Sequence, residues 1–261
     1  MSGASMNIPS LPKGKCAIFF DLDGTLLSHS GTILPEVRGE IERVKALGHM
    51  IFINTGRSKA HLPSFIPHDP LFDGLICGSA YIEYGGEILM NKTLDKSAKE
   101  QVMELSDKTG IPLLFEGVEK DYFYNFDENP KINLIGRDIS RTDFLSDDIA
   151  ITKMTFCRVI TDVDTSQITA LRVIKFKTYG EGIIHGCDKA RAMDVLLSKI
   201  GIDRSRVVSF GDSENDVEML KSSAIAVVMP HGAEGAKAVC HLVSPIDKAL
   251  ELIFPRVKGI L

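Results

Sequence analysis

Short apolar runs recur along the chain, each ending on a small or acidic residue and followed by a stretch of helical periodicity. Cys16–Phe20 (CAIFF) leads into Asp21, Met50–Ile53 (MIFI) into Asn54 and Thr55, and Val207–Phe210 (VVSF) into Gly211 and Asp212. Runs this short, bounded by turn formers, suit strands buried on both faces, as in a parallel sheet. Between them, Pro35–Leu47 sets Val37, Ile41, Val44 and Leu47 at helical spacing and stops at Gly48. Lys189–Ile200 does the same with Met193, Leu196, Leu197 and Ile200 before Gly201. A glycine there accepts the left-handed backbone that ends a helix. The C-terminal part continues with strand Ile225–Met229, helix Ala233–Val239, strand His241–Ser244 and helix Ile246–Phe254. The rhythm predicts an α/β fold with a doubly wound, Rossmann-like parallel sheet.

Residues 85–184 depart from it. Strand-like pieces at Glu87–Met90, Leu113–Phe115, Phe123–Phe126 and Lys153–Val159 accompany a helix at Ser97–Thr109 closed by Gly110, and a second helix is expected at Ser166–Val173. This weaker, more antiparallel pattern reads as an α+β insert, so the expected organisation is a core of residues 15–84 and 185–261 with a cap of residues 85–184. Residues 1–14 lack the apolar stretch of a secretory signal and read as a loose leader.

Composition narrows the function classes. With 44% hydrophobic residues, 22 glycines and 11 prolines in 261, neither a disordered nor a collagen-like chain is expected. The longest apolar run, Ala224–Met229, is far short of the roughly 18 residues that span a bilayer. The net charge of −5 comes without a basic cluster, which argues against a nucleic acid or a membrane surface as partner. The five cysteines (16, 77, 157, 187 and 240) are scattered and form no C-x-x-C pair, which points to reduced thiols in the cytoplasm.

The candidate chemistry lies at the strand ends. Asp21 and Asp23 stand two apart after an apolar strand, a period that places both on one face, with Gly24 allowing a tight turn. Thr55, Gly56 and Arg57 end the second strand and Asp212 ends another. Open α/β sheets gather such residues at their carboxyl edge. Clustered carboxylates repel by about 4 kcal/mol per pair at 4 Å unless a cation lies among them. An all-oxygen donor set without His or Cys favours Mg²⁺. An aspartate beside such an ion can attack phosphorus, with Thr55 and Lys189 holding phosphoryl oxygens and Asp23 passing a proton to the leaving oxygen.

FFDLDGTLL, INTGR, a lysine opening a helix and FGDSENDVEML resemble, in order, the four motifs of the haloacid dehalogenase superfamily of phosphatases. Only 34 residues separate Asp21 from Thr55, whereas 134 separate Thr55 from Lys189, which leaves room for a cap in the second gap alone. That placement resembles the Cof-like branch with a type IIB α+β cap, rich in sugar-phosphate phosphatases. The resemblance implies Mg²⁺-dependent hydrolysis of a small phosphate ester, with Asp21 as nucleophile and Asp23 as general acid/base. It further implies Thr55, Gly56, Lys189 and Asn215 as phosphate ligands. The metal would be held by Asp21, Asp212 and the backbone carbonyl of Asp23, with Asp216 beside it. Two positions depart from the family pattern, Gly78-Ser79-Ala80 where relatives show Asn-Gly-Ala, and His231-Gly232 where an Asn is common.

Plainer readings accompany these. Ser213 and Asp216 have the S-x-x-D spacing of a helix capping box. A cation in the first turn of a helix opposes the macrodipole, so Lys189 reads as facing an anion. Arg57 reads equally as surface charge or internal tether, His185 and His231 as structural, and Glu116, Tyr122, Tyr124 and Asp127 as facing either substrate or water. A phosphomutase, a dehalogenase or a non-catalytic sugar-phosphate sensor would use the same scaffold. The intact Asp21, Asp23 and Asp212 favour hydrolysis over the sensor, and Asp23 with its acidic cluster has no use in dehalogenation.

Overall fold

A computed structural model describes residues 8–126, 136–138, 145 and 149–256. Alternate residues of its central strands enter two different apolar layers. In β1 (Ala17–Phe20), Ile18 and Phe20 join one layer, Ala17 and Phe19 the other, as a pleated strand requires. The adjacent β2 (Met50–Thr55) repeats this with Ile51 and Ile53 against Phe52. Helices α1 (Pro35–Ala46) and α6 (Ile246–Ile253) cover the first layer with Val37, Ile41, Val44, Ala249 and Leu250. Helices α3 (Lys189–Ile200) and α4 (Val217–Lys221) cover the second with Ala192, Met193, Leu196, Leu197 and Met219. Each of the larger of these side chains, the Val, Leu, Ile, Phe and Met, contributes about 1.5–3 kcal/mol of transfer free energy.

The remaining strands of the large sheet are β3 (Gly74–Cys77), β4 (Tyr81–Tyr84), β5 (Glu87–Asn91), β12 (Val207–Gly211), β13 (Ile225–Val228) and β14 (Leu242–Val243). Their order is β14-β13-β12-β1-β2-β3-β4-β5, parallel as far as β3 and antiparallel beyond it. The fold is thus an α/β core with helices on both faces of a mainly parallel sheet, and the short α5 (Glu234–Lys237) lies between β13 and β14. A second, smaller sheet holds β6 (Leu113–Gly117), β7 (Asp121–Tyr124), β8 (Gly136–Asp138), β9 (Ile151–Phe156), β10 (Leu171–Lys175) and β11 (Gly180–Ile184) in the order β10-β11-β9-β6-β7-β8. Helix α2 (Lys96–Thr109) packs its Ala98, Val102, Met103 and Leu105 into the apolar cluster of this sheet. The Asp95 carboxylate caps it by accepting from Ala98 N, and it ends at Gly110 with φ +67°.

Several expectations are corrected. Glu87–Met90, read as part of the insert, belongs to β5 of the large sheet. Gly85 and Gly86, with φ +58° and +82°, form the tight hairpin that returns the chain onto β4. The helix expected at Ser166–Val173 is absent. Leu171 instead opens β10, whose register opposite β11 pairs it with Ile184. Phe123–Phe126 is replaced by β7, two residues earlier, and Lys153–Val159 by β9, which stops at Phe156. Within the expected loose leader, Ile8 and Leu11 pack against the first apolar layer. Residues 1–7 lie outside the described residues.

Candidate active site

Because β12, β1 and β2 are neighbours, their carboxyl ends bring Asp21, Thr55 and Asp212 to one edge of the sheet from distant parts of the chain. Strand β1 stops at Phe20, so the shared face expected of Asp21 and Asp23 does not arise from strand alternation. The chain turns instead. Leu26 N donates to Asp21 O at 3.2 Å, and Gly24 takes φ +76°. A Cβ on Gly24 would lie 2.5 Å from Asp212 Oδ2, so the turn needs glycine for space as well as for conformation. Asp21 ends buried and Asp23 exposed, yet both border one cavity of about 390 Å³.

Lys189 ties the cluster together. Its Nζ donates to Asp21 Oδ1 and to Asp216 Oδ1, each at 2.6 Å, and all three side chains are at most 6% exposed. The first-turn cation therefore meets two carboxylates of the protein itself, which offset the macrodipole without any external anion. Burial pushes the Asp21 carboxyl up to about 7 against the pull of the Lys189 ammonium, with Asp216 and Asp212 adding to the rise. Burial also opposes the charge on Lys189, but the two carboxylates outweigh it and hold the amine protonated. Asn54 sets the backbone here, its Nδ2 donating to Lys189 O at 3.1 Å. Helix α3 is capped by Asp188, which accepts from Arg191 N at 2.8 Å.

Asp216 also shapes the loop after β12. Its Oδ2 accepts from the backbone N–H groups of Asp212 and Ser213 at 3.0 Å and lies 3.1 Å from Ser213 Oγ. The capping box expected from S-x-x-D is thus formed. With both oxygens engaged by protein donors, Asp216 is committed to holding the loop and Lys189. Asp212 accepts from Thr25 Oγ1 at 3.0 Å, and burial raises its carboxyl against that hydrogen bond. Carboxylate oxygens of Asp21, Asp212 and Asp216 lie within 4.8 Å of one another. An all-oxygen set suits a hard cation, and Asp21 and Asp212 are its most available donors.

Asp23 stands apart from this trio. Arg57 grips it with two bonds, Nε to Oδ2 at 2.7 Å and Nη2 to Oδ1 at 2.5 Å, while Nη1 donates to His61 O at 3.0 Å. Arg57 is therefore an internal tether. Thr55 is buried and its Oγ1 accepts from Arg57 N at 3.2 Å. Gly56, Ser213 and Asn215 border the cavity, and Ser213 Oγ donates to Asn215 Oδ1 at 2.7 Å. His231 Nε2 donates to Gly24 O at 2.7 Å and His185 Nε2 to Thr169 O at 3.1 Å, both structural contacts. At the other departure from the family pattern, Gly78 and Ser79 both take positive φ, +55° and +58°.

His61 links the two sheets. Its Nδ1 lies 3.0 Å from Asp121 Oδ2, and Asp121 Oδ1 accepts from Ser58 Oγ and Gly117 N, both at 3.2 Å. The hydrogen bond to Asp121 raises the imidazole above 6.5 despite its burial. The resulting stabilisation is complete below the unfolded-state value and is lost as pH rises through the folded-state value. Thermal unfolding followed upward from about pH 6.5, the ordinary imidazole value, is expected to show a falling midpoint, and His61→Asn to flatten that slope. An unchanged slope in the variant removes His61 as its source.

The smaller sheet supplies the opposite wall of the cavity: Glu116, Lys153, Thr155, Tyr179 and Glu181. Of these only Glu116 stands among the candidates read from the sequence. The signal for the others is a polar residue at every second position of a β-forming run, as in Lys153-Met154-Thr155-Phe156. Tyr122 and Tyr124 pack against the apolar cluster, Tyr124 also donating to Asp107 Oδ1 at 2.6 Å. Asp127 lies outside the described residues.

All five cysteines are free, and burial pushes the Cys77 and Cys157 thiols up to about 12. Among the described residues no helix is long and apolar enough to cross a membrane. The chain resembles the 5-amino-6-(5-phospho-D-ribitylamino)uracil phosphatase YitU of Bacillus subtilis, at 25% identity over 86% of this chain and 90% of that protein. It also resembles YcsE of the same organism, a phosphatase of the same name, at 23% identity over 87% and 88%. Among solved structures it is similar to the HAD subclass IIB sugar phosphatase BT4131, with a TM-score of 0.78 and 26% identity over 90% of this chain and 95% of that one. The fold is shared with BT1666 from Bacteroides thetaiotaomicron, with a TM-score of 0.81 and 20% identity over 93% and 97%. A family model matches residues 18–249, nearly the whole described chain, and the protein accordingly belongs to the haloacid dehalogenase-like hydrolases.

Proposed function

We propose that the protein, a phosphatase of this family, hydrolyses small phosphate monoesters, sugar phosphates in particular, through an aspartyl-phosphate on Asp21. The observation that carries this reading is the Lys189 ammonium held between buried Asp21 and Asp216, with Asp212 adjacent, beside a polar cavity. Lys189 holds Asp21 by Oδ1 and leaves Oδ2 to attack phosphorus. As the new P–O bond forms, the ester P–O bond breaks and Asp23, freed at one oxygen from Arg57 and protonated there from solvent before the ester binds, gives that proton to the leaving oxygen. Asp23 then takes a proton from water, which attacks the same phosphorus, releases phosphate and restores the Asp21 carboxylate. Arg57 orients the ionised Asp23 for the second transfer, in which it takes the proton, and must release one of its two hydrogen bonds for the first. The Thr55 hydroxyl, the Gly56 backbone, Lys189 and Asn215 bind phosphoryl oxygens. Asp21, Asp212 and the backbone carbonyl of Asp23 would hold Mg²⁺, and Asp216 would support them through the loop. When bound, the ion supplies charge neutralisation for the phosphoryl oxygens and the crowded carboxylates.

In this reading the large sheet and its helices form the catalytic core, residues 15–84 and 185–261 with β5 added, and the smaller sheet forms a cap over the organic part of the substrate. The scattered free thiols support a cytoplasmic location. The test is phosphate release from a panel of sugar and nucleotide monophosphates, with Mg²⁺ and after chelation by EDTA. Release is expected only with the metal. A positional isomer of the sugar phosphate formed without free phosphate would replace hydrolysis by a mutase reaction.

A further inference from the structure

The cavity wall opposite Asp21 carries a charge pattern of its own. Lys153 and Thr155, two apart on β9, face the same side, and the register sets Glu116 of β6 opposite Lys153 and Glu181 of β11 opposite Thr155. Lys153 Nζ donates to Glu181 Oε1 at 2.6 Å and, across the cavity, to Gly56 O at 3.2 Å, with Glu116 Oε1 at 3.7 Å. Thr155 Oγ1 donates to Glu116 Oε1 at 2.6 Å. Burial works against the Lys153 charge, yet Glu116 and Glu181 outweigh it and keep the ammonium protonated. Two carboxylates thus share one lysine, and the wall keeps a surplus negative charge. Among the described residues, Oε2 of Glu116 and of Glu181 has no hydrogen-bond partner, so each is free to accept.

The cations bordering the cavity are engaged. Lys153 is only 10% exposed and bonded as above, Arg57 holds Asp23 and the His61 carbonyl, and His61 faces Asp121. Within this cavity a second anionic group on a substrate would meet the surplus carboxylate with no free cation among the lining residues, Arg172 lining instead the neighbouring pocket that shares Lys153 and Glu181. At about 390 Å³ the space falls within the roughly 300–1,000 Å³ range of small-molecule sites.

We infer that this wall selects the leaving group by charge, accepting an uncharged polyol through Oε2 of Glu116 and Glu181 and rejecting one that bears a second phosphate or a carboxylate. The inference rests on the phosphatase reading above and narrows its substrate class. Like-charge contact at a recognition surface is an effective means of refusing the wrong partner.

The test compares kcat/KM for glucose 6-phosphate, glucose 1,6-bisphosphate and 6-phosphogluconate, with p-nitrophenyl phosphate as a reporter of hydrolysis. The wild type is expected to use the bisphosphate and the aldonate on the order of tenfold less well than the neutral sugar ester. Glu116→Gln combined with Glu181→Gln is expected to close that gap several-fold. Should the double variant not fold, the wild-type ratio alone decides. Equal wild-type use of all three sugars, or a folded double variant whose gap is unchanged, overturns the charge filter while p-nitrophenyl phosphate turnover leaves the phosphatase reading standing. No phosphate from any of the four compounds removes that reading and the filter with it.

Discussion

Asp21→Asn is expected to lower phosphate release by a thousandfold or more, the scale of loss when a covalent nucleophile is removed. The amide keeps the shape of the carboxylate and an oxygen for Lys189 to donate to, but it does not form the acyl-phosphate. It also removes one of the carboxylates crowded within 4.8 Å of one another. The thermal midpoint of the variant should therefore equal or exceed that of the wild type, and phosphate-ester binding should survive. Phosphate release measured beside calorimetric unfolding separates the two effects. Undiminished turnover would take Asp21 out of the mechanism.

The second large effect is expected from Lys189→Met, which removes the cation shared by Asp21 and Asp216. Breaking a buried ion pair by deleting one partner costs about 3–5 kcal/mol, because the remaining charge stays buried without compensation. Denaturant unfolding should show a loss of that order, together with loss of phosphate release. Adding Asp216→Asn removes one stranded carboxylate and should recover part of the stability, with activity still absent. A Lys189→Met variant as stable as the wild type would mean that the carboxylates draw their compensation from elsewhere.

Much of the core was legible because its central strands are buried on both faces and its two long helices, α1 and α3, stop at Gly48 and Gly201. The runs before Asp21 and Asn54 carry no polar interruption and the run before Gly211 only Ser209, and Gly201 ends α3 with φ +68°. The smaller sheet was harder to read. Strand β11 contains two glycines that weaken its propensity, and both answer to tertiary crowding. A Cβ on Gly180 would lie 2.2 Å from Ile160 Cδ1, and one on Gly182 2.6 Å from Met154 Sδ. No local pattern announces such neighbours, and the helix expected at Ser166–Val173 overlaps the first three residues of the partner strand β10. In the site, the gathering of Asp21, Thr55, Lys189 and Asp212 follows from strand order, which motif spacing suggests. The Arg57 grip on Asp23 and the meeting of Glu116 with Lys153 depend on side-chain reach across loops and register, which spacing does not encode.

One connection ties the two sheets more closely than their separate cores suggest. Glu181 lies on β11, and only residues 185–188 separate the end of that strand from Lys189, the first residue of α3. Glu181 of the cavity wall and Lys189, which holds Asp21, thus stand eight positions apart on one continuous stretch, joined through a turn in which Gly186 takes φ +76° and Cys187 N donates to Ile184 O. A wall residue of the smaller sheet and a residue of the carboxylate cluster are therefore neighbours along the chain as well as in space, and a change in that short turn would be felt on both sides of the cavity.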